Sequence, residues 1–498
     1  MDKLVSCRRD GGVAVITIDN PPVNALKRDV RAGMLDAFVQ ARDDDQILAI
    51  VLTGAGRTFS GGADITEFGK PAQAPSLISL IAEIDASKKP TIAALHGTTM
   101  GGGLEIALAC HFRLAATGAR LGLPEIKLGL IPGAGGTQRL PRLIGIDKAL
   151  PIILSGDPIP AEEALAVDLV DEIVAGDVTV GAIAFAKRVV AEKRPLRRAR
   201  DTESKLTALR ADPAKFDEIV ATHLKKARGL HAPAAAIEAV RGALDLPFDQ
   251  ALLRERDTFL KLLAGEQSKA QRHIFFAERE AAKVPEIRRD IAAREIKRAA
   301  VIGAGTMGGG IAMCFANAGI PVTMIETGAD ALKRGKDTVV RNYKTSVSRG
   351  TLSTEEMERR IANIDGATDI AAVGDADIII EAVFEEMDIK RQVFADLDRL
   401  AKSDAVLATN TSYLDVNAIA QATKRPASVV GMHFFSPANV MRLLEIVRGK
   451  QTAPEVLATA IAVGRNLAKV PVVVGVCHGF VGNRMLSARG IESERLLL

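Results

Sequence analysis

The sequence predicts an α/β protein with two strand-and-helix regions joined by an all-helical stretch. Short apolar segments such as VAVITI and AIVLTG alternate with helical ones from Val13 to about Val174, with glycine-rich turns between them. From about Ala182 to Ile296 such strands vanish, and Ala, Leu, Lys, Arg and Glu recur at helical spacing. Beyond Lys297 the alternation returns as AAVIG, VTMIE, DIIIEAV, AVLATN and VVGMHFF, which is typical of a doubly wound parallel sheet.

Composition narrows the class of protein. The 498 residues suffice for about three domains. Hydrophobic residues make up 48%, yet no apolar run approaches the roughly 20 residues of a membrane span, so no transmembrane segment is expected. A net charge of +4, spread along the chain, argues against a nucleic-acid partner. The four cysteines lack metal-ligand spacing, so no metal is predicted, and the amino terminus lacks the apolar stretch of a secretory signal.

Two glycine-rich motifs in the first region offer main-chain N–H groups. GGGLE follows the predicted strand TIAALHG and opens an apolar helix, so the N–H of Gly102 could bind a developing oxyanion. FSGGADI follows the strand AIVLTG and offers the N–H of Ala63 as a second donor. Glu105 and Glu125, the latter in PEIKLGLIPGAGGTQRL, are the candidates for general acid–base catalysis.

Each of these features also has a structural interpretation. A triple glycine can serve close packing, and a glutamate that opens a helix is more often a partner of the helix dipole than a catalyst. The run GAGG at 133–136 is not followed by Lys-Ser or Lys-Thr, which excludes a nucleotide phosphate loop. We interpret these four residues as structural.

In their order and separations, FSGGADI, GGGLE and PEIKLGLIPGAGGTQRL resemble the crotonase, or enoyl-CoA hydratase, superfamily over roughly residues 10 to 190. The resemblance implies a crotonase-type spiral ββα domain that acts on CoA thioesters. It implies that Ala63 and Gly102 form the oxyanion hole. It further implies that Glu105 activates water and that Glu125 protonates the α-carbon. The presence of both glutamates favours a hydratase over family members that keep only one.

The motif GAGTMG in the second region predicts a dinucleotide site. Gly303, Gly305 and Gly308 follow the strand AAVI and open a helix, and Glu326 ends the next strand about 20 residues later. The glycines let a pyrophosphate approach the helix N-terminus, while a carboxylate accepts ribose hydroxyls and repels a 2′-phosphate. The pattern predicts a Rossmann-like domain that binds NAD rather than NADP.

A base for a substrate hydroxyl is predicted downstream. A histidine oriented by a carboxylate has a suitable pKa for this role. His433 ends the strand VVGMHFF, and Glu445 is expected in a following helix, NVMRLLEIV. The two form the candidate dyad.

From Lys297 to the end, EAVFE, NTS, HFFSP and GFVGNR follow GAGTMG in the order of the L-3-hydroxyacyl-CoA dehydrogenase family, which this region resembles. The resemblance implies that Ser412 and Asn483 contact the substrate and the catalytic dyad. The expected cofactor contacts are Gly303, Gly305, Thr306, Met307, Gly308, Glu326, Glu385, Lys390 and Asn410.

The tandem resembles the multifunctional fatty-acid β-oxidation enzymes. That resemblance implies hydration of 2-enoyl-CoA to (3S)-3-hydroxyacyl-CoA and its oxidation with NAD to 3-ketoacyl-CoA, with 3-enoyl-CoA to 2-enoyl-CoA isomerisation as a secondary activity. It implies acyl-CoA thioester substrates and a 3-ketoacyl-CoA thiolase as a candidate partner. The implied domains are hydratase/isomerase over 1–190, helical linker over 191–296, NAD-binding over 297–478, and the start of a helical dehydrogenase domain over 479–498.

The family resemblance and the composition also lead to expectations about the C-terminal end of the chain, its alternative functions and its location. That family continues beyond the position of Asn483, so we expect a C-terminally truncated chain with an impaired dehydrogenase step. Two alternatives stay open, a non-catalytic protein that binds CoA thioesters and NAD, and a crotonase-type thioester hydrolase. The Arg- and Ala-rich composition predicts a bacterial, cytoplasmic location rather than a peroxisomal one.

Overall fold

A computed structural model describes residues 4–224, 229–281, 283–285, 287–288 and 290–497. Parts of the predicted domains, at 1–3, 225–228, 282, 286, 289 and 498, lie outside the described residues. The chain forms two compact units, Met1–Phe275 and Phe276–Leu498. Within the described ranges, no helix combines the length and the apolar character needed to cross a membrane.

The first unit contains a six-stranded and a three-stranded sheet. Its strands are β1 (Val5–Asp10), β2 (Val13–Ile18), β3 (Ala49–Gly54), β4 (Thr91–Leu95), β5 (Thr98–Met100), β6 (Phe112–Ala116), β7 (Arg120–Gly122), β8 (Ile159–Pro160) and β9 (Glu172–Val174). The large sheet has the order β1-β2-β3-β4-β6-β9 and the small one β5-β7-β8. Apart from the antiparallel β1–β2 pair, neighbours in the large sheet run parallel. Successive strands thus advance across the sheet, as the predicted spiral requires.

Helices cover both faces of this large sheet. The described helices up to Ala281 are α1 (Arg28–Asp43), α2 (Leu77–Asp85), α3 (Gly102–Ala109), α4 (Gly136–Ile144), α5 (Ile146–Ser155), α6 (Ala161–Ala166), α7 (Val178–Ala191), α8 (Thr207–Ala211), α9 (Pro213–Leu224), α10 (His231–Asp245), α11 (Phe248–Ala264) and α12 (Glu266–Ala281), with 3-10 turns at Ile65–Glu67, Pro124–Leu128 and Ala199–Asp201. Helix α7 packs on one face. Helices α1, α2 and α3 contribute to the core on the other. Burial on both faces explains why the central strands read as continuous apolar runs.

Helices α10 and α11, from the predicted linker, pack on α4 of the first unit. Ala236 and Val240 of α10 share one buried core with Leu140 and Ile144 of α4. Helix α11 also contacts α4. The linker boundaries at 191–296 stay a prediction.

The second unit is built on a single eight-stranded sheet. Its strands are β10 (Ala299–Ile302), β11 (Val322–Ile325), β12 (Ile364–Ala367), β13 (Ile378–Glu381), β14 (Val406–Thr409), β15 (Val429–Phe434), β16 (Leu443–Arg448) and β17 (Val470–Gly475). The order is β12-β11-β10-β13-β14-β15-β16-β17, with β12 to β15 parallel and β16 antiparallel to β15. Strand order reverses between β10 and β13, the switch point at which doubly wound sheets bind nucleotides.

Among the described residues from 290 onward, seven α-helices accompany this sheet. They are α13 (Thr306–Asn317), α14 (Ala329–Ser348), α15 (Thr354–Ala362), α16 (Met387–Leu400), α17 (Val416–Ala420), α18 (Pro454–Asn466) and α19 (Gly482–Arg495), with 3-10 turns at Ile370–Val373 and Pro426–Ser428. Glycines let α13 lie close to β10, because a Cβ on Gly308 would lie only 1.8 Å from the carbonyl oxygen of Gly303.

One secondary-structure prediction was wrong. Glu445 lies in strand β16, not in a helix after His433. The segment LLEIVR is buried along most of its length, so its apolar residues show no alternation that would distinguish a strand from a buried helix. The antiparallel register instead places Glu445 directly opposite His433.

Replacing each of two neighbouring glycines of α13 by alanine should change the stability of the second unit in opposite directions. Gly308→Ala should destabilise the second unit by about 1–3 kcal/mol, because the new methyl group overlaps a fixed carbonyl. Gly309→Ala should stabilise it by about 0.5–1 kcal/mol, because its Cβ meets only Val339 at 3.4 Å. Both tyrosines of the chain, Tyr343 and Tyr413, lie in this unit, so tyrosine fluorescence in urea measures its unfolding alone. Equal stability of the two variants would contradict the packing account.

Candidate active sites

The turn from β5 to α3 brings the two predicted oxyanion donors together. Gly101 has φ +51°, and a Cβ there would lie 2.7 Å from Oε1 of Glu125, so the turn requires glycine. The two main-chain N atoms lie on neighbouring turns. A Cβ built on Gly102 would lie 3.4 Å from the main-chain N of Ala63, and a Cβ built on Gly62 would lie 3.2 Å from the main-chain N of Gly102. Neither N–H donates a hydrogen bond to another described residue.

Glu105 is buried in the first turns of α3 and is bound by two main-chain N–H groups. Its Oε1 accepts from Ala134 N at 2.7 Å and from Gly136 N at 2.9 Å. Burial raises the pKa of Glu105, while these two donors and the positive charge of Arg139 oppose the rise. The donors favour the ionised form of this carboxyl group.

Glu125 lies in the 3-10 turn Pro124–Leu128 in a different environment. Its Oε2 is buried and has no hydrogen-bond partner among the described residues. Burial, and then the negative charge of Glu105, raise the pKa of Glu125 well above its usual range. Of the two predicted glutamates, Glu125 is therefore the one suited to hold a proton.

The GAGTMG turn joins β10 to α13 at the switch point of the second sheet. Gly303 has φ +104°, and a Cβ there would lie 2.6 Å from the carbonyl oxygen of Ala382. A Cβ on Gly305 would meet nothing within 4 Å. Thr306 and Met307 begin the helix, with Thr306 exposed and Met307 partly so. The turn thus leaves an open approach to the N-terminus of α13, as a pyrophosphate requires.

Glu326 follows β11 and binds the same glycine turn. Its Oε2 accepts from Ala304 N at 3.0 Å, and its Oε1 accepts from Thr327 N at 2.9 Å. The carboxylate of Glu326 therefore lies beside the glycine turn, where a bound ribose would meet it.

His433 and Glu445 form a cross-strand pair. His433 Nδ1 lies 2.8 Å from Glu445 Oε2, and both side chains are buried. Glu445 Oε1 also accepts from Val481 N at 3.0 Å and Gly482 N at 2.8 Å, at the N-terminus of α19. Burial raises the pKa of Glu445, but these three hydrogen bonds lower it overall. With Nδ1 donating to the carboxylate, Nε2 is left as the basic nitrogen. Asn483 follows directly in the first turn of α19.

The NTS turn after β14 is held by Glu385. One oxygen of Glu385 accepts from Thr411 Oγ1 at 2.6 Å, Ser412 N at 2.7 Å and Tyr413 N at 3.0 Å. Lys390 is buried, with Nζ 2.6 Å from Oε1 of Glu381 and 3.4 Å from Oε2 of Glu385. Both were predicted as cofactor contacts. Glu385 here contacts the NTS turn, Lys390 contacts Glu381 and Glu385, and their cofactor role stays a prediction.

Asn410 links the NTS turn to the histidine strand. Its Oδ1 accepts from the main-chain N of Phe434 at 2.8 Å, next to His433. Ser412, two residues on, is partly exposed. Asn410 thereby ties the turn that carries Ser412 to the strand that carries the dyad histidine.

Comparison with known proteins agrees with the division into two sites. Residues 8–216 match the family described as enoyl-CoA hydratase/isomerase, and residues 298–477 match 3-hydroxyacyl-CoA dehydrogenase, NAD binding domain. The chain is 42% identical over 482 residues to the peroxisomal bifunctional enzyme of Danio rerio, and the aligned region covers 95% of this chain and 66% of that protein. It is 40% identical over 485 residues to the glyoxysomal fatty acid beta-oxidation multifunctional protein MFP-a of Cucumis sativus, and the aligned region covers 95% of this chain and 67% of that protein. This chain belongs to the multifunctional β-oxidation enzymes.

The chain spans about two thirds of the length of these curated relatives. The dehydrogenase part of multifunctional enzyme 1 from C. elegans is a solved structure with 33% identity and a TM-score of 0.39, covering 44% of this chain and 53% of that one. The family matches confirm the predicted family, the pairing of hydratase and dehydrogenase domains, and the fold class.

NAD is the cofactor of this β-oxidation enzyme, as predicted, since its second unit matches the NAD-binding domain of the dehydrogenase family. The residues present fit the dinucleotide. The Gly305 backbone leaves open space where a Cβ would stand, and Glu326 lies beside the same turn.

The predicted location of this β-oxidation enzyme was wrong. The relatives from Danio rerio and Cucumis sativus are named peroxisomal and glyoxysomal, which points to peroxisomes rather than to a bacterial cytoplasm. Arg and Ala content was the ground for the prediction, and bulk composition carries no address signal.

Two features of the candidate hydratase site of this β-oxidation enzyme were not predicted from the sequence. The GAGG run, interpreted as structural, supplies the N–H groups that bind Glu105. Glu255 of α11 is buried, and its carboxyl group accepts from the same run. Burial and the charge of Glu105 raise the pKa of Glu255 to about 8, against the effect of its donors. The signal was present, because Glu255 falls in the buried stripe of α11 between Ala251 and Phe259.

Gly305→Ala should weaken NAD binding by at least about tenfold, about 1.4 kcal/mol, because its methyl group occupies the space that the pyrophosphate needs. Tyrosine fluorescence in urea should show little change in the stability of the second unit. Gly475→Ala, whose Cβ also meets nothing within 4 Å, is the matched control and should bind NAD normally. Calorimetric titration measures the affinity, and unchanged binding by Gly305→Ala would place the nucleotide elsewhere.

Proposed function

We propose that the first unit hydrates 2-enoyl-CoA to (3S)-3-hydroxyacyl-CoA and that the second oxidises this product to 3-ketoacyl-CoA with NAD. The observation that carries the proposal is the contrast between two neighbouring buried carboxyl groups. Glu105 is bound by two N–H donors that favour its charge, whereas Glu125 has a buried oxygen without a described partner. A base and an acid side by side are what addition of water across a double bond requires.

For the hydration step, the N–H groups of Ala63 and Gly102 bind the thioester oxygen and stabilise the negative charge that develops on it. Glu105 accepts a proton from water, and the water oxygen forms a bond to the β-carbon. Glu125 gives its proton to the α-carbon. The product gains one water molecule, and the two glutamates exchange protonation states until solvent restores them.

For the oxidation step, Nε2 of His433 takes the proton of the substrate hydroxyl, and Glu445 stabilises the imidazolium that results. Bound NAD supplies the hydride acceptor. Ser412 and Asn483 are proposed to contact the substrate. The residues proposed to hold the cofactor are Gly303, Gly305, Thr306, Met307, Gly308, Glu326, Glu385, Lys390 and Asn410.

Two finer activities complete the proposal. Two glutamates beside one α-carbon can also move a proton between positions 4 and 2 of a 3-enoyl thioester, so a secondary isomerase activity is proposed. A 3-ketoacyl-CoA is the substrate of thiolytic cleavage, so a 3-ketoacyl-CoA thiolase is proposed to consume the product.

Crotonyl-CoA tests the function directly. Loss of the enoyl absorbance on adding the chain is expected, followed by NADH formation on adding NAD at a rate below that of hydration. His433→Gln should remove NADH formation and leave hydration unchanged, since His433 belongs to the second unit. Hydration without NADH from the unmutated chain would overturn the second half of the proposal, and absence of hydration would favour a non-catalytic binding protein. Release of free CoA would favour the thioester hydrolase.

Glu105→Gln and Glu125→Gln should each lower the hydration rate by about 10²–10⁴-fold, because each removes one proton-transfer group.

In the unmutated chain, Glu125 acts in its protonated form. Its raised pKa means that hydration should persist above the usual titration range of a glutamate and fall as pH rises through that raised pKa. A pH–rate profile that instead falls near the usual glutamate range would contradict the assignment of Glu125 as the acid.

A further inference from the structure

Four consecutive main-chain N–H groups at the start of α4 bind two different carboxyl groups in alternation. Ala134 N and Gly136 N donate to Oε1 of Glu105. Gly135 N donates to Oε1 of Glu255 at 2.6 Å, and Thr137 N donates to its Oε2 at 2.9 Å. The two carboxyl groups therefore hold one turn from opposite sides.

Both carboxyl oxygens of Glu255 accept hydrogen bonds. The hydroxyl of Thr137 also donates to Oε2 of Glu255, while Gln138 Nε2 donates to Thr137 Oγ1 at 2.8 Å. Each of the three groups that contact the Glu255 carboxyl group is thus a donor, so these hydrogen bonds favour its ionised form and oppose the rise in pKa that burial and Glu105 cause. An amide could not accept all three, because its NH₂ group would face an N–H.

Helix α11 contacts the same turn a second time. A Cβ on Gly133 would lie 2.5 Å from Cγ of Phe259, one helical turn after Glu255. Gly135 has φ +107°, and a Cβ there would lie 3.4 Å from Cδ1 of Leu252 in the same helix. This helix lies beyond the residues 8–216 that match the hydratase family, so the turn is fixed partly by a segment outside that match.

We propose that Glu255 is a positioning residue for the hydration step: by holding Gly135 and Thr137, it keeps the N–H groups of Ala134 and Gly136 aimed at Glu105. The inference rests on the proposed hydratase function. Glu255 contacts the turn and not the reacting atoms, so it should affect the rate of chemistry and not the binding of the thioester.

Glu255→Gln tests this role. It should lower kcat for crotonyl-CoA hydration by about 10- to 100-fold and change KM by less than about twofold, because a small displacement of the base slows chemistry selectively. The affinity for butyryl-CoA, which cannot be hydrated, should be unchanged. Asp257→Asn, an exposed carboxylate on the same helix, is the matched control and should keep full activity.

A double-mutant cycle separates positioning through Glu105 from a general loss of structure. In the Glu105→Gln background, Glu255→Gln should produce no further fall in the residual rate, since its effect passes through Glu105. Additive losses, or a KM that rises with kcat unchanged, would overturn the inference.

Far-UV circular dichroism shows whether Glu255→Gln folds. If it does not fold, Thr137→Val tests the inference instead. Thr137→Val removes one donor to Glu255 and should lower kcat several-fold at constant KM. Full kcat in that variant would overturn the inference. An inactive unmutated chain would overturn the proposed function and this inference with it, whereas an active chain with a fully active Glu255→Gln variant would overturn this inference alone.

Discussion

Buried carboxyl groups that accept hydrogen bonds from main-chain N–H groups are the interaction on which both sites depend. Glu105 is held by Ala134 and Gly136. Glu445 is held in the same way by Val481 and Gly482. Because an unpaired buried charge is costly, each such contact fixes both the side chain and the turn that supplies the donors. Glycine-rich turns serve this purpose because their backbone can approach closely.

The number of donors gives chemically identical side chains different roles. In the first unit, Glu105 and Glu125 are both buried and both have a raised pKa, but Glu105 accepts from the N–H groups of a separate turn, whereas Oε2 of Glu125 has no partner among the described residues. In the second unit, Glu445 has three donors, which lower its pKa despite burial. Main-chain geometry, and not residue type, therefore separates the base, the acid and the orienting carboxylate.

Local motifs were predictable from the sequence, and long-range partners were not. The turns around Gly102 and Gly305 follow from glycine next to a strand and a helix, and the fold class follows from the alternation of apolar segments. Glu445 was placed in a helix because a strand buried on both faces shows no alternation. Glu255 carries no motif, since its partner turn lies 118 residues away in the chain at Thr137. Contacts across such separations are set by packing, which a single sequence does not display.

The pairing of β15 with β16 also bears on how this enzyme can diverge. His433 and Glu445 meet because of strand register, and Phe435, in the connecting residues 435–442, packs on the His433 ring with the two ring centroids 4.5 Å apart. The same loop is held by Lys469, whose Nζ donates to the main-chain oxygens of Ala438 and Met441, and Ala438 is buried. A single-residue insertion within either strand would turn one partner to the opposite face of the sheet. Evolutionary variation is therefore restricted in both strands and at Phe435 and Ala438 of the loop, and is easier at exposed loop positions such as Val440.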